Sequence, residues 1–448
     1  MPHWAEILTY VNPLRYYASA MRSIVLSFCS VVPMRPHCFT LFLLFFIFTP
    51  IYAAQQEGFD LTVSGVVRDE QSRRPVAFAN VFLSGSNIGT VTNGNGVFSL
   101  KINSSGVEQG LEFSCMGYAG CRISLKDYKP ERGITVWLKP MSQLLNEVRV
   151  YGGDAKAIVM EAIEKIPENY SLSANILNMF YRETVTKGNR YVAVSEGLLD
   201  VYKNSYNRRH VRGDRVRVTR GRRVLSQKSR DTLAVKIQGG PRLAVDFDVV
   251  KNEDLLFDSS SIDYFVFTQD HYMMLDDRLQ YVISFTPCAV LEYPLYSGTL
   301  YIDTQTMGIT LAEFSLDLSD RQKADNAVLR KKPAGLDFRC LEASFTVSYR
   351  IRGELFCLDY VKSTLRFRCE WKRRLFSSAY IASSEMVVVD METEAPSTIS
   401  LSDSFGQRDL FEKSAPCNWD SDFWSDYNII EPSASLEKAA AKLSRLRP

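Results

Sequence analysis

LTVSGVVRDEQSRRPVAFANVFLSGSNIGTVTNGNGVFSL, residues 61–100, decides how the chain begins to fold. It reads as short apolar runs, Val63–Val67, Ala79–Leu83 and the start of Gly96–Ile102, parted by turn chemistry at Asp69–Pro75, Ser84–Asn87 and Asn93–Gly96. The pattern continues outward through Leu111–Cys115, Cys121–Leu125 and Ile134–Leu138. A strand roughly every 8–12 residues predicts a Greek-key β-sandwich over 60–140. Pro75 closes the loop before a buried strand, Gly89 lets backbone pass closely, and Asn93–Gly96 makes a tight turn into Phe98.

These residues carry a specific likeness. Gly65-x-Val67-x-Asp69, Pro75, Ala79-Asn80-Val81-x-Leu83, Gly85 and Gly89-Thr90-x-Thr92-Asn93-x-x-Gly96-x-Phe98 resemble the carboxypeptidase regulatory-like domain. Phe113-Ser114 and Gly117-Tyr118 continue the motif, and Asn93 stands where that family commonly has Asp. The resemblance implies a prealbumin-like sandwich in an accessory role, and by itself no activity.

At 448 residues, with 46% apolar and 23% charged residues and a formal charge of +2, the chain has room for two or three cored domains. It matches neither a nucleic-acid binder nor a disordered acidic chain. Phe39–Phe48 is an unbroken apolar run after Arg35 and His37, with Ala53 and Ala54 following Pro50, so 34–54 reads as a signal peptide. Residues 1–33, ahead of Met34, read as an over-extended start. A retained anchor is the alternative, although the run is short for a membrane span. The expected location is the periplasm, with outer-membrane association open. Seven cysteines would remain after cleavage, an odd number that gives no disulfide framework. Cys115 and Cys121 could face each other across a hairpin, and most others read as buried thiols.

Ile158, Val159, Ala162, Ile163 and Ile166 form one helical stripe, with Asp154 as N-cap, Glu161 and Lys165 paired, and Pro167 as stop. Thereafter Phe265–Phe267, Tyr281–Phe285, Thr299–Asp303, Ile309–Leu316, Ala343–Ile351 and Glu385–Val389 are strand-like. The fold class expected is mainly β: the sandwich, then an α+β domain over 154–395 with a large curved antiparallel sheet, then a tail, 396–448, ending in a helix. Ser433 or Ser435 would cap that helix, with Leu436, Ala439 or Ala440, Leu443 and Leu446 on one face. The Ile-Pro-x-Asn-Tyr170 segment and Phe423-Trp424-x-x-Tyr427-Asn428-Ile429-Ile430-x-Pro432 are similar to Bacteroidetes envelope proteins of unknown function with the same sandwich. Longer relatives of that kind continue into an outer-membrane barrel, for which this chain is expected to have no residues left. Tyr281–Pro287 with Tyr296–Asp303 is also similar to half-barrel lipoprotein carriers of the periplasm.

Catalytic sets are missing from the sequence. A zinc carboxypeptidase needs His-x-x-Glu and a distant His, whereas the expected mature chain holds only His210 and His271, neither of which begins that motif. There is no Gly-x-Ser-x-Gly elbow, no phosphate-binding glycine loop and no dinucleotide fingerprint. Asp420, Asp422 and Asp426 lack the glycine and glutamate of a calcium loop. No enzyme activity, metal or cofactor is therefore expected. The one marked charge feature runs from Arg208 to Arg230, where Arg215, Arg217, Arg220, Arg222 and Arg223 are candidates for contact with an anion or lipid phosphate. A solvated edge strand that uses charge against edge pairing is the competing reading. The expected function is a non-catalytic envelope protein that binds a lipid, lipoprotein or envelope partner and no nucleic acid. Glycan binding or degradation, with Trp419 and Trp424 as stacking platforms, and an outer-membrane scaffold are the alternatives.

Overall fold

The computed structural model describes residues 61–141, 154–207, 211–226, 228, 235–253, 255, 261–275, 278–372, 377–392, 396–407, 409–415 and 421–445. The expected over-extended start and signal peptide lie outside them. The described architecture is mainly β, a small sandwich followed by a ten-stranded antiparallel sheet.

The sandwich packs β1 (Leu61–Asp69), β4 (Val97–Ile102) and β7 (Ile134–Leu138) against β2 (Asn80–Leu83), β3 (Gly89–Val91), β5 (Leu111–Ser114) and β6 (Cys121–Ile123). β1 is central, antiparallel to β4 and parallel to β7. Alternation sets the core: Phe98, Leu100 and Ile102 point inward from β4, where they meet Val63, Val67, Phe113 and Val136. β3 is a strand that the turn-rich sequence around it concealed. Gly89 is required there because a Cβ would lie 1.9 Å from the Phe82 ring. Gly96 takes a φ of +71°, and the Asn93 side-chain oxygen accepts from the amides of Asn95 and Val97, closing the expected turn. Cys115 and Cys121 form no disulfide with each other, since the register sets Phe113, not Cys115, opposite Cys121. Cys340, Cys357 and Cys369 are buried thiols, as expected.

The large sheet runs in the order β10-β9-β8-β19-β18-β17-β15-β14-β13-β12. Its strands are β8 (Asn175–Lys187), β9 (Arg190–Lys203), β10 (Arg215–Leu225), β12 (Phe265–Leu275), β13 (Arg278–Pro287), β14 (Tyr296–Asp303), β15 (Ile309–Leu316), β17 (Leu336–Arg352), β18 (Leu355–Trp371) and β19 (Ser378–Glu392). A separate ribbon pairs β11 (Lys236–Ile237) with β16 (Leu329–Lys331). One face of the sheet is covered by helices. α1 (Ala155–Glu164), capped by Asp154, inserts Ala155, Val159 and Ala162. Pro167 does not end the helical course. It sits in the first turn of α2 (Ile166–Asn169), where a missing amide N–H goes unnoticed, and Lys165 pairs with Glu168 at 2.7 Å rather than with Glu161. Two helices unforeseen in the sequence, α3 (Pro241–Asp246) and α4 (Arg321–Val328), complete the cover.

The sandwich and the tail cover part of the other face. Val91 and Phe78 of the sandwich pack with Phe180, Leu198, Tyr360 and Val387 of the sheet, and Trp424, Ile429 and Ile430 share the same cluster. Residues 424–431 act as a strap between the two units. Thr90 Oγ1 donates to the Ile429 carbonyl at 2.8 Å, Asn93 Nδ2 to Glu431 at 3.0 Å, and Asn428 exchanges two bonds with the Lys101 backbone. On the sheet side, Arg182 donates to the Ile430 carbonyl at 2.7 Å, and Trp424 Nε1 donates to Glu196 at 2.8 Å. Each large apolar anchor contributes roughly 1.5–3 kcal/mol against about 1 kcal/mol per hydrogen bond, so burial holds the strap and the polar bonds fix its register. The terminal helix, α5 (Ala434–Arg445), buries Leu436, Ala440 and Leu443 against Val194 and Val224, and its first turn bonds to Ser433 Oγ.

Glu196 is fully buried between Arg182 and Arg222, which approach it at 2.6 and 2.8 Å. Burial pushes its carboxyl up, but the two guanidiniums and Trp424 more than offset that and hold it below the ordinary value. Glu196→Ala leaves two buried cations without their carboxylate and should cost about 3–5 kcal/mol in chemical denaturation. The wild-type contribution is present above the unfolded value of 4.5 and is lost as pH falls through the lower folded value, so the variant's acid-unfolding limb should be shallower.

Candidate functional site

The helix-covered face is filled along most of its length by large side chains. Phe345 stacks against Phe247 at 4.2 Å and against Phe314 at 5.2 Å, and Tyr170, Tyr206, Tyr349 and Phe356 cluster beside them. The filling stops where small side chains fall in register. Ser363 and Ser384 face each other on β18 and β19 with their hydroxyls 2.8 Å apart, and Phe345 is the neighbour of Ser363 on β17. Gly239 and Gly240 lie at the start of α3, and Ala327 lies on α4. These small residues leave a cavity of about 180 Å³ between sheet and helices, closed on its sides by Leu243, Phe247, Tyr296, Val328 and Leu365. Its polar groups are few: Gln238, Asn252, Thr364, the two serines and Asp246. Burial raises the Asp246 carboxyl above its ordinary range despite Arg242 at 2.7 Å.

α3 is a short helix and cannot hold itself in place by backbone bonds alone. A buried charge network behind it does so. Lys203 Nζ lies 2.7 Å from both Asp214 and Asp248, Lys251 Nζ lies 2.8 Å from Asp214, and the Tyr206 and Tyr349 hydroxyls donate to Asp248 at 2.8 and 2.7 Å. All four charged side chains are at most 2% exposed, which makes this a clamp on the segment after α3 and leaves it inaccessible to a reactant. Burial, with Lys203 beside it, pushes the Lys251 ammonium down to about 8. Burial also raises the Asp248 carboxyl, but Lys203 and its hydrogen-bond donors outweigh this and leave it below the ordinary value.

A second cleft, about 430 Å³, is the seam between the sandwich strands β5 and β6 and the sheet. Arg122, Arg278, Arg350 and Glu112 line it. Its arginines are engaged locally: Arg278 grips Asp303 with two bonds of 2.6 and 2.8 Å, Arg122 bonds the Gln109 carbonyl, and Arg350 lies over the Phe82 ring.

The arginines singled out in the sequence sit on β10, an edge strand. A register shift after Val218 sets Arg217, Arg220 and Arg222 opposite Asp200, Leu198 and Glu196, alternate residues of β9, and so puts all three on one face. Arg217 pairs with Asp200 at 2.5 Å, Arg220 lies over the rings of Phe423 and Tyr427, and Arg222 is buried against Glu196. Arg215 donates to the carbonyls of Arg212 and Asp214, and Arg223 is half-buried. The alternation of Arg215 and Arg217 with Val216 and Val218 was legible, but the inward commitment of Arg222 was not. Trp424 is buried against Glu196 and presents no ring to a sugar; Trp419 lies outside the described residues. His271 is exposed on β12, and His210 is not described. Among the described residues, no group of three or more His, Cys, Asp or Glu could hold a metal, and no helix is long and apolar enough to cross a membrane.

The fold class is thus a β-sandwich docked on a large, helix-covered antiparallel sheet. Residues 63–150 match the family model described as the CarboxypepD_reg-like domain, which identifies the sandwich. Comparison with curated proteins gives no match. Solved structures similar to the chain include a DUF1329 family protein from Desulfovibrio piger, 12% identical over 55% of this chain and 96% of that one, with a TM-score of 0.24. A LolA superfamily protein from Nitrosomonas europaea is 14% identical over 53% and 95%, with a TM-score of 0.22. MucB in complex with MucA(peri) is 13% identical over 54% and 100%, with a TM-score of 0.15. At these scores no property is transferred from any of the three.

Asp248→Asn should loosen α3 before the rest of the molecule. Amide hydrogen exchange over 241–252 is expected to rise while exchange in β8 and β19 stays slow. Between pH 8 and the ordinary lysine value of 10.5 the unfolded chain holds more protons at Lys251 than the folded one, so this group makes stability rise with pH there. Lys251→Met should remove that slope from denaturation midpoints measured across the window.

Proposed function

We propose that the chain is a non-catalytic, exported cell-envelope protein, periplasmic or associated with the outer membrane. The sandwich serves as an accessory module, and the helix-covered face of the sheet binds an acyl chain of a lipid or lipoprotein. The observation that carries the reading is the cavity beneath α3, whose walls are mostly apolar and whose space comes from Ser363 and Ser384 standing where the rest of that face has bulky side chains. The apolar run Phe39–Phe48 supports export. At about 180 Å³ the cavity lies below the roughly 300–1,000 Å³ of pockets that enclose a whole drug-sized ligand, so it suits one segment of an aliphatic chain rather than an entire lipid.

Organic extraction of the purified protein followed by mass spectrometry should recover acyl-bearing species from the wild type. Ser363→Phe, which fills the cavity, should lose them while its circular dichroism and unfolding midpoint stay close to wild type. A wild-type protein with no co-purifying and no exchangeable acyl species would overturn the proposal.

A further inference from the structure

Two exposed lysines lie close in sequence to residues that line the cavity. Gln238, Gly239, Ala327 and Val328 are among the lining residues, and the Gln238 amide bonds the Val328 carbonyl at 2.8 Å. The same two segments form the β11–β16 ribbon, whose register places Lys236 directly opposite Lys331. Arg330 and Lys332 flank Lys331, and all four basic residues are exposed. Like charges directly opposite each other weaken a two-stranded pairing, and a ribbon this short has little pairing to spare. Among the described residues no carboxylate pairs with Lys236 or Lys331 in an ion pair. Lys236 and Lys331 stand two and three residues along the chain from Gln238 and Val328, which line the cavity.

From this we infer that the ribbon is a headgroup site: the ligand is an anionic amphiphile whose phosphate lies between Lys236 and Lys331 while its aliphatic chain enters beneath α3. The inference rests on the acyl-binding reading and adds the chemistry of the head. Three features fix this orientation. The cavity holds only part of a chain, so the remainder of the ligand must lie outside it at the mouth. A phosphate at the ribbon relieves the repulsion of two opposed lysines, whereas a neutral head leaves it in place. The end of α3 away from Gly240 carries Asp246, a lining carboxylate that disfavours an anion there. Six residues of helix put those ends about 9 Å apart.

The test uses the full chain and three probes at concentrations below micelle formation: dodecyl phosphate, dodecyl maltoside and inorganic phosphate, each titrated calorimetrically. Wild type should bind dodecyl phosphate about tenfold more tightly than dodecyl maltoside, two lysines near one phosphate being sufficient for that difference. The preference should shrink as salt is raised, because exposed charges are screened. In the Lys236→Gln/Lys331→Gln double variant, dodecyl phosphate should fall to the level of dodecyl maltoside, and the maltoside affinity should not change. The melting temperature of the variant should equal or exceed that of wild type, which separates a lost site from a lost fold. Equal binding of the two amphiphiles by wild type would overturn the headgroup inference and leave the acyl-binding reading standing. Failure of both amphiphiles to bind would overturn that reading as well. Inorganic phosphate binding as tightly as dodecyl phosphate would show a free-anion site and would overturn the amphiphile.

Discussion

The buried carboxylate of Glu196 is the point at which the sheet, the strap and, through the strap, the sandwich meet. An isolated charge in that position would be untenable, because removing a carboxylate from water costs several kcal/mol even after relaxation. Arg182 from β8 and Arg222 from β10 make it tenable, and both cations are as dependent on Glu196 as it is on them. Trp424 adds a neutral donor from a segment more than two hundred positions away. Three strands and the tail are thus fixed in one register by a single group. The apolar cluster of Phe180, Leu198, Trp424, Ile429 and Ile430 supplies most of the attraction; Glu196 supplies the geometry in which it can pack.

A second buried network does for the opposite face what Glu196 does for this one. Lys203, Asp214, Asp248 and Lys251 hold the chain after α3 down on the sheet, and their burial shows that they are structural. Beside that second network the cavity is a part of the helix-covered face shaped by small rather than large residues. A site built in this way is rigid on the sheet side and depends on a short helix on the other, so entry of a chain would be governed by how firmly α3 is clamped.

Much of the fold was readable from residue order because it rests on local chemistry. The turn at Asn93–Gly96, the alternation through Phe98 and Ile102, the Asp154 cap and the apolar face of α5 each follow from a few neighbouring residues. What escaped was set by partners far apart in sequence. Glu196 lies in an ordinary β-run, and nothing in its neighbours marks it as buried. Arg222 stands in the sequence as one of five candidates for anion contact, and only the register shift after Val218 brings it to the face of Arg217 and Arg220. α3 and α4 are too short to show a decisive period. The candidate site was least visible of all: Ser363 and Ser384 meet through strand register, as do Lys236 and Lys331, and no local pattern announces either pair. Trp424, a stacking platform only in the glycan alternative, is buried against Glu196.

The strap also imposes an order of events on folding. The sandwich is assembled from contacts within some eighty residues and can form as soon as they are free, about the size at which small domains fold alone. Its docking cannot follow at once, because Thr90 and Asn93 find their partners 339 and 338 positions later. Until then Val91 and Phe78 remain uncovered next to a growing sheet with unpaired edges, the condition in which β-rich chains associate wrongly. For a chain delivered N-terminus first, the interval between forming the sandwich and closing the strap is the hazardous one. The long separation of these contacts makes it a slow step by topology alone.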